Sequence, residues 1–319
     1  MRLENLALRW LAEARYADST RVTYSQTVHQ LAKRFPVDAS RITAEHLIDF
    51  LTLDADGSRT RRSASTLHRQ RVILRVLFRW AHRRGHLRQN PAADLAELSL
   101  GSGRRRAGRW LTRAQACRLL DSLALASVND HRDFVLLVTA MLTGLRRAEL
   151  AALRWRDVDL EEARLSVIGK GAKPAVLGLA VEARDALAAW HVRARSEGGS
   201  QVRAASPVFP TGRQIGGGFC DQWYRMDWHK HLTLAGVHQI VARRAAAVGL
   251  GVVGTHDLRR TFAGWLDEDG VDLARIQAAL RHSTPAVTVS CYLDQSPRRA
   301  VEAVRDLRIQ PSNKRKGGK

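Results

Sequence analysis

Between Gly57 and Asn90 the chain carries ten arginines and neither aspartate nor glutamate. Such a segment cannot be the interior of a sheet or lie in a membrane core, because removing unpaired guanidinium groups from water is expensive. Its apolar residues Leu67, Leu74, Leu77, Phe78 and Ala81 recur at helical spacing, and Ser65 or Thr66 offers a capping hydroxyl. The spacing therefore predicts a helix with one apolar side. Arg71, Arg75, Arg79 and Arg83 repeat every fourth residue, so they stack along roughly one side of that helix and face phosphates or water. A face meant only for water ordinarily mixes in acids, which pair favourably with Arg one turn away. The missing acids favour a polyanionic partner over the competing reading, an ordinary solvated face.

The rest of the chain extends the argument. Its 319 residues have a net charge of +21, and the positive charge runs throughout rather than along one amphipathic stretch, which favours nucleic acid over an anionic membrane. No apolar run approaches the ~20 residues of a membrane span, and the first residues do not lead into a secretory signal. A cytoplasmic protein is expected. Cys117, Cys220 and Cys291 are far apart and form no Cys-x-x-Cys, so neither a disulfide framework nor a thiolate zinc site is indicated.

Two further helices are expected upstream. Ser19 can cap one from about Thr20 to Arg34, and Thr43 another with Leu47, Ile48 and Leu51 on its apolar side. These make a small all-helical domain, residues 1–98, whose last long helix stops at Asn90-Pro91. Residues 99–109, rich in glycine, serine and arginine, read as an exposed basic linker; Arg104, Arg105 and Arg106 are placed to lie against a duplex, or belong simply to a flexible connector. A second domain, residues 110–310, opens with a helix capped by Thr112 and carrying Ala116, Leu119, Leu120 and Leu123. A longer apolar helix covers Phe134 to Leu142. Leu165 to Leu179 reads as two short β segments around Gly169-Lys170-Gly171, after which helical patterns dominate to about Leu307. Residues 311–319 form a basic tail without apolar residues, expected to be disordered. The fold class is mainly α: a helical DNA-binding domain followed by a mixed α/β, mostly helical domain with a small antiparallel β-sheet.

Several common sites are set aside. Gly249 to Gly254 matches GxGxxG as a string, but a dinucleotide site needs a preceding strand, and Ala242 to Val248 looks helical. No phosphate loop of the GxxxxGK[ST] type and no HExxH occurs. His229, His231 and His238 lack matched carboxylates or thiolates. No metal and no cofactor is expected.

Four segments combine polar residues with an apolar frame: Thr143-Gly-Leu-Arg-Arg-Ala-Glu-Leu150, the Gly169-Lys-Gly171 turn, His256-Asp-Leu-Arg259, and Leu280-Arg-His-Ser283 followed by Tyr292. In this order the four resemble the tyrosine recombinase family, the phage integrases and Xer-like recombinases. The resemblance covers nearly the whole chain, since the Arg-rich region ending in Asn90-Pro91-Ala92 looks like that family's core-binding domain. It implies that Arg146 and Arg259 grip the scissile phosphate, that His256 and His282 flank it, that Lys170 is the hairpin lysine, and that Tyr292 is the nucleophile. Glu149 matches a supporting acidic position. It also implies a 3′-phosphotyrosine, a four-way junction and a homotetramer on synapsed double-stranded DNA, with an accessory or directionality factor as a further possible partner.

Chemistry accounts for these residue types independently. Attack on a phosphodiester builds charge on the nonbridging oxygens, and Arg, always protonated, forks two parallel hydrogen bonds to them. Two arginines can thus do much of what a metal ion would do. Tyrosine, with a pKa of about 10, must lose its proton as it attacks, and His256 is a candidate base. The leaving 5′ oxygen needs a proton that Lys can supply and Arg cannot, which makes Lys170 the candidate acid, ahead of Lys173. A phosphotyrosine conserves the energy of the broken bond, so religation requires neither ATP nor metal.

The sequence departs from the family pattern in two places. Arg281 stands where glycine is common, adding a cation beside the site. Tyr292 lies ten residues after His282, where many members have nine; Cys291 fills the alternative position and is assigned a structural role. The chain also begins almost directly in the core-binding helices, so lambda-like arm binding is not expected. The expected activity is site-specific recombination, by an integrase of a mobile element rather than a chromosome dimer resolvase. A non-catalytic DNA-binding protein of the same fold and a topoisomerase-like nicking and closing enzyme are the alternatives.

Overall fold

Residues 1–96, 98, 110–169, 173–214 and 224–281 are described by the computed structural model. The chain divides into two units, Met1–Arg105 and Arg106–Lys319. Among the described residues four α-helices build the first: α1 (Leu3–Glu13), α2 (Asp18–Arg34), α3 (Ala44–Thr52) and α4 (Ala64–Arg83). Their shared core contains Leu6, Trp10, Leu31, Leu47, Leu51, Leu74, Leu77 and Phe78, and Trp10 stacks on Tyr24 with ring centroids 5.1 Å apart. Thr43 caps α3 as expected, its hydroxyl accepting from the His46 amide.

The expected apolar side of α4 is buried, from Leu67 to Ala81. Its cap, however, is Ser63, two residues before the nearer expected one: the Ser63 hydroxyl accepts from the Thr66 amide. Likewise α2 begins at Asp18 behind Ala17, with no side-chain cap bond, so Ser19 is not its cap. Ile48, expected on the buried side of α3, is exposed. The acids that α4 lacks come partly from elsewhere, since Glu13 of α1 accepts from Trp80 Nε1 and pairs with Arg84 at 2.9 Å.

Among its described residues the second unit is mostly helical with two small antiparallel sheets. Thr112 and Gln115 form a reciprocal cap at the start of α5 (Arg113–Asp121). The buried helix α6 (Val128–Thr143) follows and ends at Gly144, whose φ of +59° closes the helix in the left-handed conformation. After α7 (Arg147–Ala152) come β1 (Val158–Asp159), β2 (Arg164–Ile168) and β3 (Pro174–Gly178) in the order β1-β2-β3. Register pairs Arg164 with Gly178 and Ile168 with Pro174, so β2 and β3 pair antiparallel, as the sequence pattern predicts; residues 170–172 between them lie outside the described residues. Pro174 is tolerated because it opens the strand.

Helix α8 (Val181–Gly198) packs on α6, with Trp190 fully buried and its Nε1 donating to the Val208 carbonyl at 2.7 Å. A second sheet then interrupts the expected helical run: β4 (Pro210–Gln214) pairs with β5 (Tyr224–His231). Tyr224, Met226 and Trp228 alternate with polar residues, the period of a strand with one buried face, and Trp228 is buried. Helices α9 (Leu234–Ala247), α10 (Thr255–Glu268) and α11 (Leu273–Leu280) complete the described unit. The GxGxxG string falls between α9 and α10 with a helix before it, as its surroundings predicted.

A buried ion network ties α6 to α9 and β4. The Asp133 carboxylate, fully buried, accepts from Arg132 Nη2 at 2.7 Å, Arg244 Nη2 at 2.8 Å and Arg243 Nη2 at 3.2 Å. Arg132, also buried, donates to the Pro210 carbonyl. Removing one partner of a buried ion pair is strongly destabilising, so these bonds help to hold the three elements together.

Candidate active site

Arg146 occupies the position before α7, with its backbone extended (φ −70°, ψ 152°). Three residues on, Glu149 turns its carboxylate back: Oε2 accepts from the Arg146 amide at 2.7 Å and Oε1 from Arg146 Nη1 at 2.9 Å. Glu149 thus caps the start of α7 with one oxygen and holds the Arg146 guanidinium with the other. Burial pushes the Glu149 pKa up, but the Arg146 amide and the charges of Arg281 and Arg146 outweigh it and hold the carboxyl below its ordinary value. Glu149 is therefore a charged anchor.

His256 and Arg259 lie three residues apart on α10 and share one face of it. Gly254 precedes the helix, and its amide donates to Asp257 Oδ2 at 2.9 Å. Arg259 is buried. Its Nη1 donates to the Gly144 carbonyl and its Nη2 to the Leu280 carbonyl. Gly144 has no room for a side chain, since an added Cβ would meet Phe262 Cδ1 at 2.5 Å. That glycine thus ends α6, turns the chain into Arg146 and presents a carbonyl to Arg259.

Both arginines converge on the end of α11. Arg146 Nη2 donates to the Arg281 carbonyl at 3.1 Å, while Arg259 reaches the carbonyl of the preceding residue. Arg281 itself takes the left-handed conformation (φ 55°, ψ 46°), and its Nη2 donates to Glu149 Oε2 at 2.8 Å. Arg146 and Arg281 therefore share the Glu149 carboxylate, while Arg146 and Arg259 also donate to backbone carbonyls at the end of α11. Carbonyl dipoles satisfy hydrogen bonds without cancelling charge, so the cluster keeps an excess of two positive charges and suits an anion.

His256 is exposed. Even so, the protein around the ring removes enough water to push its pKa below the ordinary 6.5, and the charges of Arg260, Arg259 and Arg146 act in the same direction against Asp257. A neutral imidazole beside two arginines accepts a proton.

The structure thus brings together Arg146, Glu149, His256 and Arg259, four of the residues singled out in the sequence, and adds Arg281. Lys170, His282, Tyr292, Arg104, Arg105 and Arg106 lie outside the described residues; Lys173, just beyond the turn, has a backbone carbonyl that accepts from the Gly169 amide at 2.7 Å. In the first unit, Arg79 and Arg83 are exposed and Arg75 is half-buried. Arg71 corrects the expectation of four surface cations: its Nη1 donates to the Ala96 and Leu98 carbonyls at 3.2 and 2.9 Å, because α4 must fasten the chain that returns along it. His231 has a structural use, Nδ1 donating to the Ala151 carbonyl at 2.8 Å. No cluster of potential metal ligands occurs among the described residues, and no described helix is long and apolar enough to cross a membrane.

Residues 109–299 match the model of the phage integrase family. Among curated proteins, the tyrosine recombinase XerC of Xanthomonas axonopodis pv. citri (strain 306) is 31% identical over 260 residues, covering 81% of this chain and 76% of its own. Among solved structures, the Tn1549 transposon integrase in complex with a circular intermediate DNA superimposes with a TM-score of 0.68 at 15% identity, covering 96% of this chain and 100% of that one. A lambda integrase dimer bound to a COC′ core site gives 0.67 at 18% identity over 93% and 97% of the two chains. The helical architecture with its small antiparallel sheets is that of these proteins, and the sequence match extends over most of the chain: it belongs to the phage integrase family, the tyrosine recombinases, enzymes that cut and rejoin DNA.

Proposed function

We propose that this chain recombines DNA at specific sites, with the Tyr292 hydroxyl attacking a backbone phosphate held by Arg146 and Arg259. The observation that carries the reading is the convergence of both guanidinium groups on the Leu280–Arg281 turn with positive charge to spare. As the tyrosine oxygen attacks, charge develops on the nonbridging oxygens, and preset arginines stabilise it without reorganising. Neutral His256 takes up the phenolic proton or bonds the phosphate, and Lys170 protonates the 5′ oxygen as it leaves. The product is a 3′-phosphotyrosine, and a 5′ hydroxyl from another strand reverses the step on it. Two such exchanges on a homotetramer holding double-stranded DNA sites complete recombination through a four-way junction. Integration of a mobile element is the favoured use, with Arg75, Arg79 and Arg83 contacting the DNA backbone.

The test is capture of the covalent intermediate. The protein is incubated with a library of nicked genomic duplexes, denatured, and the DNA that remains attached is sequenced. A defined sequence joined through its 3′ phosphate is expected from wild type and nothing from Tyr292→Phe. No adduct from wild type defeats the enzymatic reading, and an adduct from Tyr292→Phe assigns the nucleophile elsewhere.

A further inference from the structure

We propose that Arg281 is a third phosphate-binding arginine of this site, offering its unpartnered Nη1 to the same scissile phosphate as Arg146; this rests on the function proposed above. Arg281 closes α11 in a left-handed conformation, which costs a non-glycine residue about 1–2 kcal/mol. Glycine there would be free of that cost, so something favours a side chain. A cation at a helix C-terminus is favoured by the helix dipole, but that accounts only for a charge near solvent. Here the side chain is instead turned inward, 14% exposed, to reach Glu149.

Arg281 uses its guanidinium incompletely. A structural Arg–carboxylate pair commonly engages two parallel donors. Arg281 gives Glu149 only Nη2, while Nε and Nη1 are buried with no hydrogen-bond partner among the described residues. Leaving charged donors unmet is costly, more so than for neutral groups, and the carboxylate that would ordinarily take a second one is occupied by Arg146. Glu149 thus takes the Arg146 guanidinium on Oε1 and that of Arg281 on Oε2, which also accepts from the Arg146 amide, so the two guanidinium groups share one carboxylate. An acceptor serving both must be anionic and carry several oxygens, and a phosphodiester does so.

The test uses nicked duplexes carrying the sequence recovered by covalent capture, made with either an ordinary phosphodiester or a neutral methylphosphonate at the scissile position. Arg281→Gly suits the left-handed backbone, and Arg281→Asn is a second variant that tolerates it; thermal melting verifies that both fold. On the phosphodiester, cleavage is expected to slow by about 10- to 100-fold, the range for a lost charge-assisted hydrogen bond. On the methylphosphonate, which lacks the anionic oxygen, the loss should nearly vanish. In an Arg146→Lys background the loss on phosphodiester should persist. Equal slowing on both substrates overturns the proposal, as does disappearance of the loss in that background, which would make Arg281 only a positioner of Arg146 through Glu149. Those outcomes leave the recombinase reading intact, whereas absence of any wild-type adduct overturns both.

Discussion

Gly144 joins three tasks, so replacing it with alanine should be unusually costly. Alanine at φ +59° pays about 1–2 kcal/mol for the left-handed conformation. Its Cβ would also lie 2.5 Å from Phe262 Cδ1, and forcing an extra methyl into packed surroundings adds about 1–3 kcal/mol. The total, roughly 2–5 kcal/mol, corresponds to a melting temperature lowered by about 4–20 °C for a unit of this size. Gly249 supplies an internal control: its φ is +70° but nothing lies within 4 Å of an added Cβ, so Gly249→Ala should cost only the conformational part, roughly 1–2 kcal/mol. Differential scanning calorimetry of the two variants isolates the steric part, and adding Phe262→Leu should recover it. Because the Gly144 carbonyl accepts from Arg259, cleavage by Gly144→Ala should fall well below its melting transition, which Gly249→Ala should not cause. Coincident melting of the two variants would refute the reasoning.

Three other outcomes are expected. The depressed His256 pKa leaves the ring neutral at neutral pH, so the cleavage rate should fall on acidification with a midpoint below 6.5, and His256→Asn should abolish that limb; a midpoint above 6.5 contradicts the proposed role. Asp133→Asn leaves Arg132, Arg243 and Arg244 without their shared anion and should destabilise the protein by about 3–5 kcal/mol in chemical denaturation, so a loss under about 1 kcal/mol would show that the network is dispensable. Lys170→Ala should slow cleavage of an ordinary duplex and be rescued by a 5′-bridging sulfur, a leaving group that needs no proton; without rescue, Lys170 is not the acid.

The buried sides of α4 and α6, the caps at Thr43 and Thr112 and the β2–β3 pair were readable because periodicity and capping are local. So was the set Arg146, Glu149, His256 and Arg259, which sits in short motifs whose residue types match phosphate chemistry. What escaped reading depends on partners far along the chain. Arg71 looks like any other member of its stripe until the Ala96 and Leu98 carbonyls fold back on it. Ser63, Ser65 and Thr66 are equally good caps until the helix chooses its first turn. The β4–β5 pair had a signal in the alternation of Tyr224, Met226 and Trp228, outweighed by the helical patterns around it. Arg281 was visible as a cation, but its bond to Glu149 spans 132 positions and no local pattern announces it.

The carbonyl clasp at the end of α11 also decides where the chain can change length. Arg259 reaches a carbonyl 21 residues ahead, and inserting one residue into α11 would swing its end by about 100°, carrying both carbonyls away from the two arginines. Between Arg259 and Arg281 the spacing is therefore fixed by these bonds. Single-residue insertions between Arg259 and Leu280 should therefore break both carbonyl bonds together and lower the melting temperature and the cleavage rate.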